Sequence, residues 1–197
     1  KDTQQQKKLM GIILEDVQRL DRLITDISNA SRLDSELSRE EMQLVDLGNM
    51  ISTLIDVENS VAGLVRFELT LQSRGCLAVV GLEDRLVQVF RNLFSNAKSF
   101  SPPDGVISVS AKKIGNFIEI TIEDEGPGIP ITSLSKIFDR FYTERPENEK
   151  FGVHSGLGLS ISKQIIEAHR GKIVAENRYK AKGELTGARF IVTLPAE

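Results

Sequence analysis

A chain of 197 residues with 40 % apolar and 27 % charged residues has ordinary globular composition, which excludes a disordered, collagen-like or low-complexity chain. The net charge of −3, from 25 basic and 28 acidic residues, lacks the basic excess of a dedicated nucleic-acid binder. One cysteine and two histidines are too few for an intramolecular disulfide or an ordinary zinc site, and no apolar run reaches the roughly 20 residues of a membrane span.

From Asp2 to Arg39 the chain carries no Pro and a single Gly. Met10, Ile13, Val17, Leu20, Ile24 and Ile27 recur at alternating steps of three and four, which predicts a long amphipathic helix with a narrow heptad seam. Such a seam requires a facing helix. Two readings stay open: a surface helix packed on the adjoining domain, or one half of a helical hairpin or dimer bundle. The boundary is expected near residue 40, with a second domain over 41–197.

That second part alternates strand and helix signals. Gln43 to Leu47 is a short strand candidate, Gly48 to Asn59 a helix, and Arg66 to Leu71 and Cys76 to Val80 strands. Leu82 to Phe100 is predicted as a helix with Leu86, Val89, Leu93, Ala97 and Phe100 as its buried stripe. Val106 to Ala111 and Phe117 to Glu123 alternate around Gly115-Asn116 as a hairpin. A Gly/Pro-rich turn covers Asp124 to Pro130, a polar loop Arg140 to Ser155, a helix Gly156 to His169. Strands over Lys172 to Glu176 and Arg189 to Leu194 close the chain. This mixture predicts an α+β sandwich with helices on one face of the sheet.

Four segments carry chemistry. On the helix, Gln88, Asn92 and Asn96 lie four apart on a face of their own. An Asn carbonyl is a neutral hard oxygen, suited to a Mg²⁺ that keeps its waters and also holds phosphates; a merely solvated face is the alternative. In Asp124-Glu-Gly-Pro-Gly-Ile-Pro130, Gly126 and Gly128 permit close backbone approach, and Asp124 can accept from an exocyclic amine such as adenine N6; the alternative is a plain turn. Ser155-Gly-Leu-Gly-Leu-Ser160 stands before a helix, where free backbone N–H groups suit phosphate, although no Walker-type Lys-Ser/Thr pair comes after it. Phe138-Asp-Arg-Phe-Tyr142 could anchor a lid or form a small satellite core.

In their order, the helix segment Gln88-Val-Phe-Arg-Asn-Leu-Phe-Ser-Asn-Ala97, the Asp-x-Gly-x-Gly turn, the Phe-x-x-Phe box and Gly-Leu-Gly-Leu closely resemble the N, G1, F and G2 boxes of sensor histidine kinases. That family sits within the gyrase, chaperone, histidine kinase and mismatch-repair ATPases. The resemblance covers Met42 to Pro195, including the ending Gly187-Ala-Arg-Phe-Ile-Val-Thr-Leu-Pro195. Asp21-Arg-Leu-Ile-Thr-Asp-Ile27 through Ser31-Arg-Leu33 resembles the second helix of the family's dimerisation and phosphotransfer hairpin.

The resemblance implies a two-layer α/β sandwich of the Bergerat type, with a mixed, largely antiparallel sheet and a long preceding α-helix. It implies ATP and Mg²⁺ as cofactors, with Asn96 as the metal ligand and Asn92 its companion in catalysis. The implied nucleotide-binding set is Asn92, Asn96, Lys98, Phe100, Asp124, Gly126, Gly128, Ile129, Tyr142, Arg145, Ser155, Gly156, Leu157, Gly158 and Leu159. In the related ATPases a Glu one turn before the metal Asn activates water; here that place is Asn92, which cannot act as a base. The implied activity is therefore a kinase that keeps the γ-phosphate for a histidine and passes it to a response regulator. A hydrolysing ATPase of the same superfamily and a degenerate nucleotide-binding module are the alternatives.

The sequence departs from the family at Ser99, Thr143, His154 and Ala188, where a basic residue, Arg, Gly and Thr are usual. Neither His154 nor His169 lies in the family's His-Asp/Glu acceptor motif. With a start at Lys1 rather than Met, the acceptor and the first hairpin helix are expected upstream. The resemblance likewise implies a homodimer in the full-length protein, no nucleic acid partner, and a cytoplasmic portion of an inner-membrane protein whose spans lie upstream.

Overall fold

The structure is a computed structural model that describes residues 6, 9–11, 13, 17, 24, 28, 41–61, 65–72, 76–143, 156–181 and 183–197. Most of the heptad segment lies outside the described residues, as do Arg145, His154 and Ser155. Its described members are helical, and Met10, Ile13, Val17 and Ile24 are all exposed.

The remainder builds from β1 (Gln43–Asp46), α1 (Leu47–Ser60), β2 (Arg66–Leu71), β3 (Ala78–Gly81), α2 (Glu83–Phe100), β4 (Val106–Ile114), β5 (Phe117–Glu123), α3 (Gly158–Ala168), β6 (Lys172–Tyr179) and β7 (Leu185–Pro195). Five strands form one sheet in the order β2-β4-β5-β7-β6, and β1 pairs with β3 in a separate two-stranded sheet. Only β2–β4 is parallel; the other pairs are antiparallel. The chain is thus an α+β fold with a mixed, largely antiparallel sheet, as its sequence predicts. β2 and β3, neighbours in sequence, do not pair with each other.

Period-two alternation decides which face is covered. Ile107, Val109 and Ala111 of β4, Ile118, Ile120 and Ile122 of β5, and Phe190, Val192 and Leu194 of β7 are buried together. The intervening residues are half-buried at most, and Ser108, Ser110, Thr121 and Thr193 among them are polar. On the covered face, α2 contributes Leu86, Val89, Phe90, Leu93, Phe94 and Ala97, α1 contributes Met50, Ile51 and Ile55, and α3 Ile161, Ile165 and Ile166. Each such side chain, fully buried, stabilises the fold by about 1.5–3 kcal/mol.

Local chemistry sets the ends. Asp46 caps α1 by accepting from the Asn49 amide at 3.1 Å. α2 begins with Glu83 and Asp84 and has Lys98 in its last turn, matching its dipole. It stops at Ser101, which precedes Pro102 and is driven to extended backbone at ψ 142°. α3 closes in a Schellman motif, with Gly171 donating to Ile166 O and Arg170 to Glu167 O, both at 2.9 Å. The expected strands at 172–176 and 189–194 are longer than the sequence suggests. Asn177, Arg178 and Gly187 interrupt the apolar pattern yet continue the ladder, with an irregularity between Arg178 and Tyr179.

Phe94 shows how the core supports α2. It is fully buried, with its ring centroid 5.0 Å from that of Phe67 and 6.4 Å from that of Phe90. Phe94→Ala should cost about 3–5 kcal/mol, seen as a lower urea midpoint with an unchanged slope.

Candidate functional site

Two contacts link three elements: the middle of α2 meets the start of α3 at Asn92 and Gly158, and the turn after β5 meets the end of α2 at Gly126 and Phe100. Asp124 comes directly after the last residue of β5 and is only 3 % exposed. Its Oδ1 accepts from the Gly126 amide at 2.9 Å and the Ala188 amide at 3.0 Å. Its Oδ2 takes no hydrogen bond from a described residue. Burial pushes the carboxyl above its ordinary range, against the two amide bonds and the nearby Arg178, which act to lower it. A buried carboxylate held by one oxygen, with the other reachable from outside, can accept from an outside donor.

The backbone around Asp124 is fixed from several sides. Arg178 donates from Nη1 to the Asp124 carbonyl at 2.7 Å. Gly187 adopts φ +145°, and a Cβ there would lie 1.9 Å from the Asp124 carbonyl oxygen. Gly126 leaves no room either, since a Cβ would stand 2.7 Å from Phe100 O. Gly128 has φ +77°, as a turn glycine does. The next residue, Ile129, is clamped in both directions by Asn177 of β6: the Ile129 amide donates to Asn177 Oδ1 and Asn177 Nδ2 donates to Ile129 O, each at 2.7 Å. A largely apolar cavity of about 420 Å³ flanks this turn, with Phe100, Gly128, Ile129, Ile131, Tyr179 and Leu185 in its wall.

On α2, Asn92 and Asn96 are both half-buried. Asn92 Nδ2 donates to Gly158 O at 3.1 Å and to Ser162 Oγ at 3.3 Å, tying the middle of α2 to the first turn of α3. The Asn96 side chain makes no hydrogen bond to a described residue, so its amide is open on the same face. Gly158 itself has ordinary space: a Cβ would sit 3.6 Å from the Asn92 side chain. α3 begins at Gly158 rather than Gly156, and its N-cap, Leu157, provides no side-chain cap. Its first-turn N–H groups thus lack a capping side chain, as suits an anion.

The remaining predicted residues divide. Leu157 is buried in the core, so only its backbone can face a ligand, and Leu159 packs half-buried against that core. Gly156 takes φ +71°, and its Cβ position is filled by the backbone of Phe141 and Tyr142 and by the Thr143 methyl; the Phe141 amide donates to Gly156 O at 3.1 Å. Tyr142 is half-buried against the core. One expectation needs correction. Lys98 is not brought to the face of Asn96: two residues on, it is turned about 200° around the helix, and its ammonium pairs with Glu58 of α1 at 2.8 Å. Phe138 packs edge-on against Phe190 at 6.5 Å, and Phe141 is exposed at φ +65°; the lid they are expected to anchor lies outside the described residues.

Asn177, Arg178 and Gly187 shape the site although none of the four boxes contains them. Gly187 had a signal, a glycine inside an apolar strand, which marks close backbone approach. Asn177 and Arg178 look like ordinary polar strand residues. Among the described residues, no cluster of three or more His, Cys, Asp or Glu could hold a metal ion.

Comparison with known proteins agrees with this geometry. Residues 81–197 match the family described as Histidine kinase-, DNA gyrase B-, and HSP90-like ATPase. Sensor protein ChvG of Rhizobium meliloti (strain 1021) is 44 % identical over the whole chain, which spans 35 % of that protein's length. The mycobacterial sensor histidine kinase MprB superimposes with a TM-score of 0.68 at 28 % identity, over 79 % of this chain and 98 % of the MprB chain. Histidine kinase ThkA, solved in complex with response regulator protein TrrA, gives 0.72 at 26 % identity, over 97 % of this chain and 51 % of that one. The chain therefore belongs to the histidine kinase-, DNA gyrase B- and HSP90-like ATPase family, and its ATP-binding domain is that of the sensor histidine kinases.

Proposed function

We propose that this chain is the ATP-binding catalytic portion of a sensor histidine kinase, which binds Mg-ATP and donates the γ-phosphate to a histidine on a phosphotransfer hairpin, for onward transfer to an aspartate of a response regulator. The observation that carries the reading is Asn92. One turn before Asn96, where a water-activating carboxylate would stand in a hydrolase, there is an amide whose nitrogen is tied to Gly158 O. It is neither a base nor free to become one, so the phosphate is kept from water.

Other residues take complementary parts. Asp124 Oδ2 would accept from the adenine amine, and the first turn of α3 would meet the phosphates. Asn96 fits Mg²⁺ by chemistry: one neutral hard oxygen suits an ion otherwise held by phosphates and water. Bound there, Mg²⁺ would neutralise phosphate charge; the chain's own residues orient the nucleotide and exclude water. Neither histidine of the chain suits the acceptor role by sequence context, and His169 is buried. The exposed Met10, Ile13, Val17 and Ile24 support a helical seam that a second hairpin, in a homodimer, would cover. Among the described residues no helix is long and apolar enough to cross a membrane; any membrane attachment would lie in other segments of the parent protein.

Incubation with γ-labelled Mg-ATP tests this. Saturable binding is expected, with no stable label on this chain and little inorganic phosphate released. When the chain is joined to a hairpin bearing a His-Asp/Glu acceptor, acid-labile label should appear on that His. Steady phosphate release at many turnovers would instead make it a hydrolase.

A further inference from the structure

His169 lies at the far end of α3 from Gly158 and is 5 % exposed. Its Nδ1 donates to Ile165 O at 2.7 Å, and its Nε2 accepts from the Leu82 amide at 2.9 Å. Leu82 is the N-cap of α2 and offers no side-chain cap of its own. The ring therefore satisfies from another helix a donor that a capping box would satisfy within α2. The fit is tight: a Cβ on Gly81 would lie 2.7 Å from His169 Cδ2 and 2.9 Å from Nε2. Only a residue without a side chain at 81 leaves space for the ring.

This contact has a counterpart. Asn92 ties α2 to the first turn of α3, and His169 ties the start of α2 to the end of α3. The two ties are ten residues apart on α2, about 15 Å along its axis. With one tie alone, the angle of α3 on α2 would rest on apolar packing, which is non-directional. Two fix its angle, and with it the position of the α3 amino terminus relative to Asn96. We infer that His169, in its neutral form with the proton on Nδ1, is a positioning residue for the nucleotide site, holding α3 in register on α2 through the Leu82 amide.

The acceptor role requires an unprotonated Nε2; a doubly protonated ring would face the Leu82 N–H with a second donor. Desolvation of the buried ring holds its pKa below the ordinary histidine value, which keeps the acceptor available at neutral pH. Charged neighbours do not oppose this. The charged groups on the adjoining elements are Glu83, Asp84 and Arg85 in the first turn of α2, Glu167 in the last turn of α3, Arg170 just beyond it and Lys172 at the start of β6; Arg85 is half-buried and the others are exposed. β3 and the adjoining end of β7 bring no charged side chain. Because the folded pKa is lowered, the tie is intact at and above neutrality and is lost only as pH falls below the ordinary histidine range.

The inference rests on reading the α2–α3 cleft as the ATP site, and the test separates the two. His169→Gln keeps an acceptor near Nε2, whereas His169→Asn reaches only the Ile165 carbonyl. In titrations of the 197-residue chain with Mg-ATP, Asn should weaken affinity roughly 3- to 30-fold, and Gln should restore most of it. The affinity ratio of wild type to the Gln variant should be flat above pH 7 and fall below pH 6. In the wild type, ¹⁵N NMR should show the Nδ1–H tautomer and a Leu82 amide protected from exchange, a reading that needs no variant to fold. Equal affinity of wild type and Asn variant, or an Nε2–H tautomer, overturns the inference. A wild type that does not bind Mg-ATP overturns the reading of the site as well.

Discussion

Asp124→Asn is expected to weaken ATP binding roughly 10- to 200-fold while leaving the domain at least as stable as the wild type. The two effects separate because the two carboxyl oxygens have different duties. Oδ1 is held by the Gly126 and Ala188 amides, and an Asn carbonyl accepts both bonds equally well. On the proposed reading Oδ2 serves the nucleotide, and in Asn it becomes an NH₂ that would meet the adenine amine donor to donor. Losing a hydrogen bond to a charged acceptor costs about 1.5–3 kcal/mol, which sets the affinity range. Stability moves the other way. The folded carboxyl has a raised pKa, chiefly through burial, so the folded state binds this proton more tightly than the unfolded chain. Its contribution is therefore most favourable below the ordinary carboxylate range and declines as pH rises toward the folded value. Asn removes that decline. Thermal melts from pH 4 to 7 should show the variant gaining on the wild type as pH rises, while calorimetric titration at pH 7 shows the lost affinity. A variant that binds ATP normally would remove Asp124 from the site.

The second large effect is expected at Gly187→Ala, in a residue with no side chain to offer a ligand. Its Cβ would stand 1.9 Å from the Asp124 carbonyl oxygen, and that atom belongs to backbone, which cannot swing aside as a side chain can. At φ +145° the conformation itself disfavours any side chain. Overpacking at about 1–3 kcal/mol and backbone strain at about 1–3 kcal/mol together give roughly 2–6 kcal/mol. For a chain of this size that is a fall in Tm of roughly 5–20 °C. The strand must also move away from Asp124, so ATP affinity should fall even at temperatures where the variant remains folded. Gly158→Ala is the control: its Cβ has ordinary space, so little stability should be lost.

Much of this was legible in the sequence. Periodicity placed α2 and the β4–β5 hairpin, because each has one buried stripe and one wet face. The order of the four boxes points to the candidate site, because each box is local and short. The rest is non-local. Nothing near Asn177 announces that its amide closes on Ile129, 48 residues away. His169 could be read as a helix-end residue, but its bond to the Leu82 amide joins residues 87 apart. β2 and β3 face each other across a turn in sequence, yet their partners are β4 and β1, because register depends on which faces are buried. Lys98, implied by resemblance alone, stands one residue before the family's usual basic position, and a one-residue offset turns a side chain about 100° around a helix.

One small contact has a wider consequence. The bond from the Phe141 amide to Gly156 O joins the two ends of an intervening stretch, with both residues at positive φ. The clasp is made by two backbones, so most side-chain substitutions at either position leave its donor and acceptor in place. Proline at 141 is the exception: it has no N–H to donate and cannot adopt the positive φ found there.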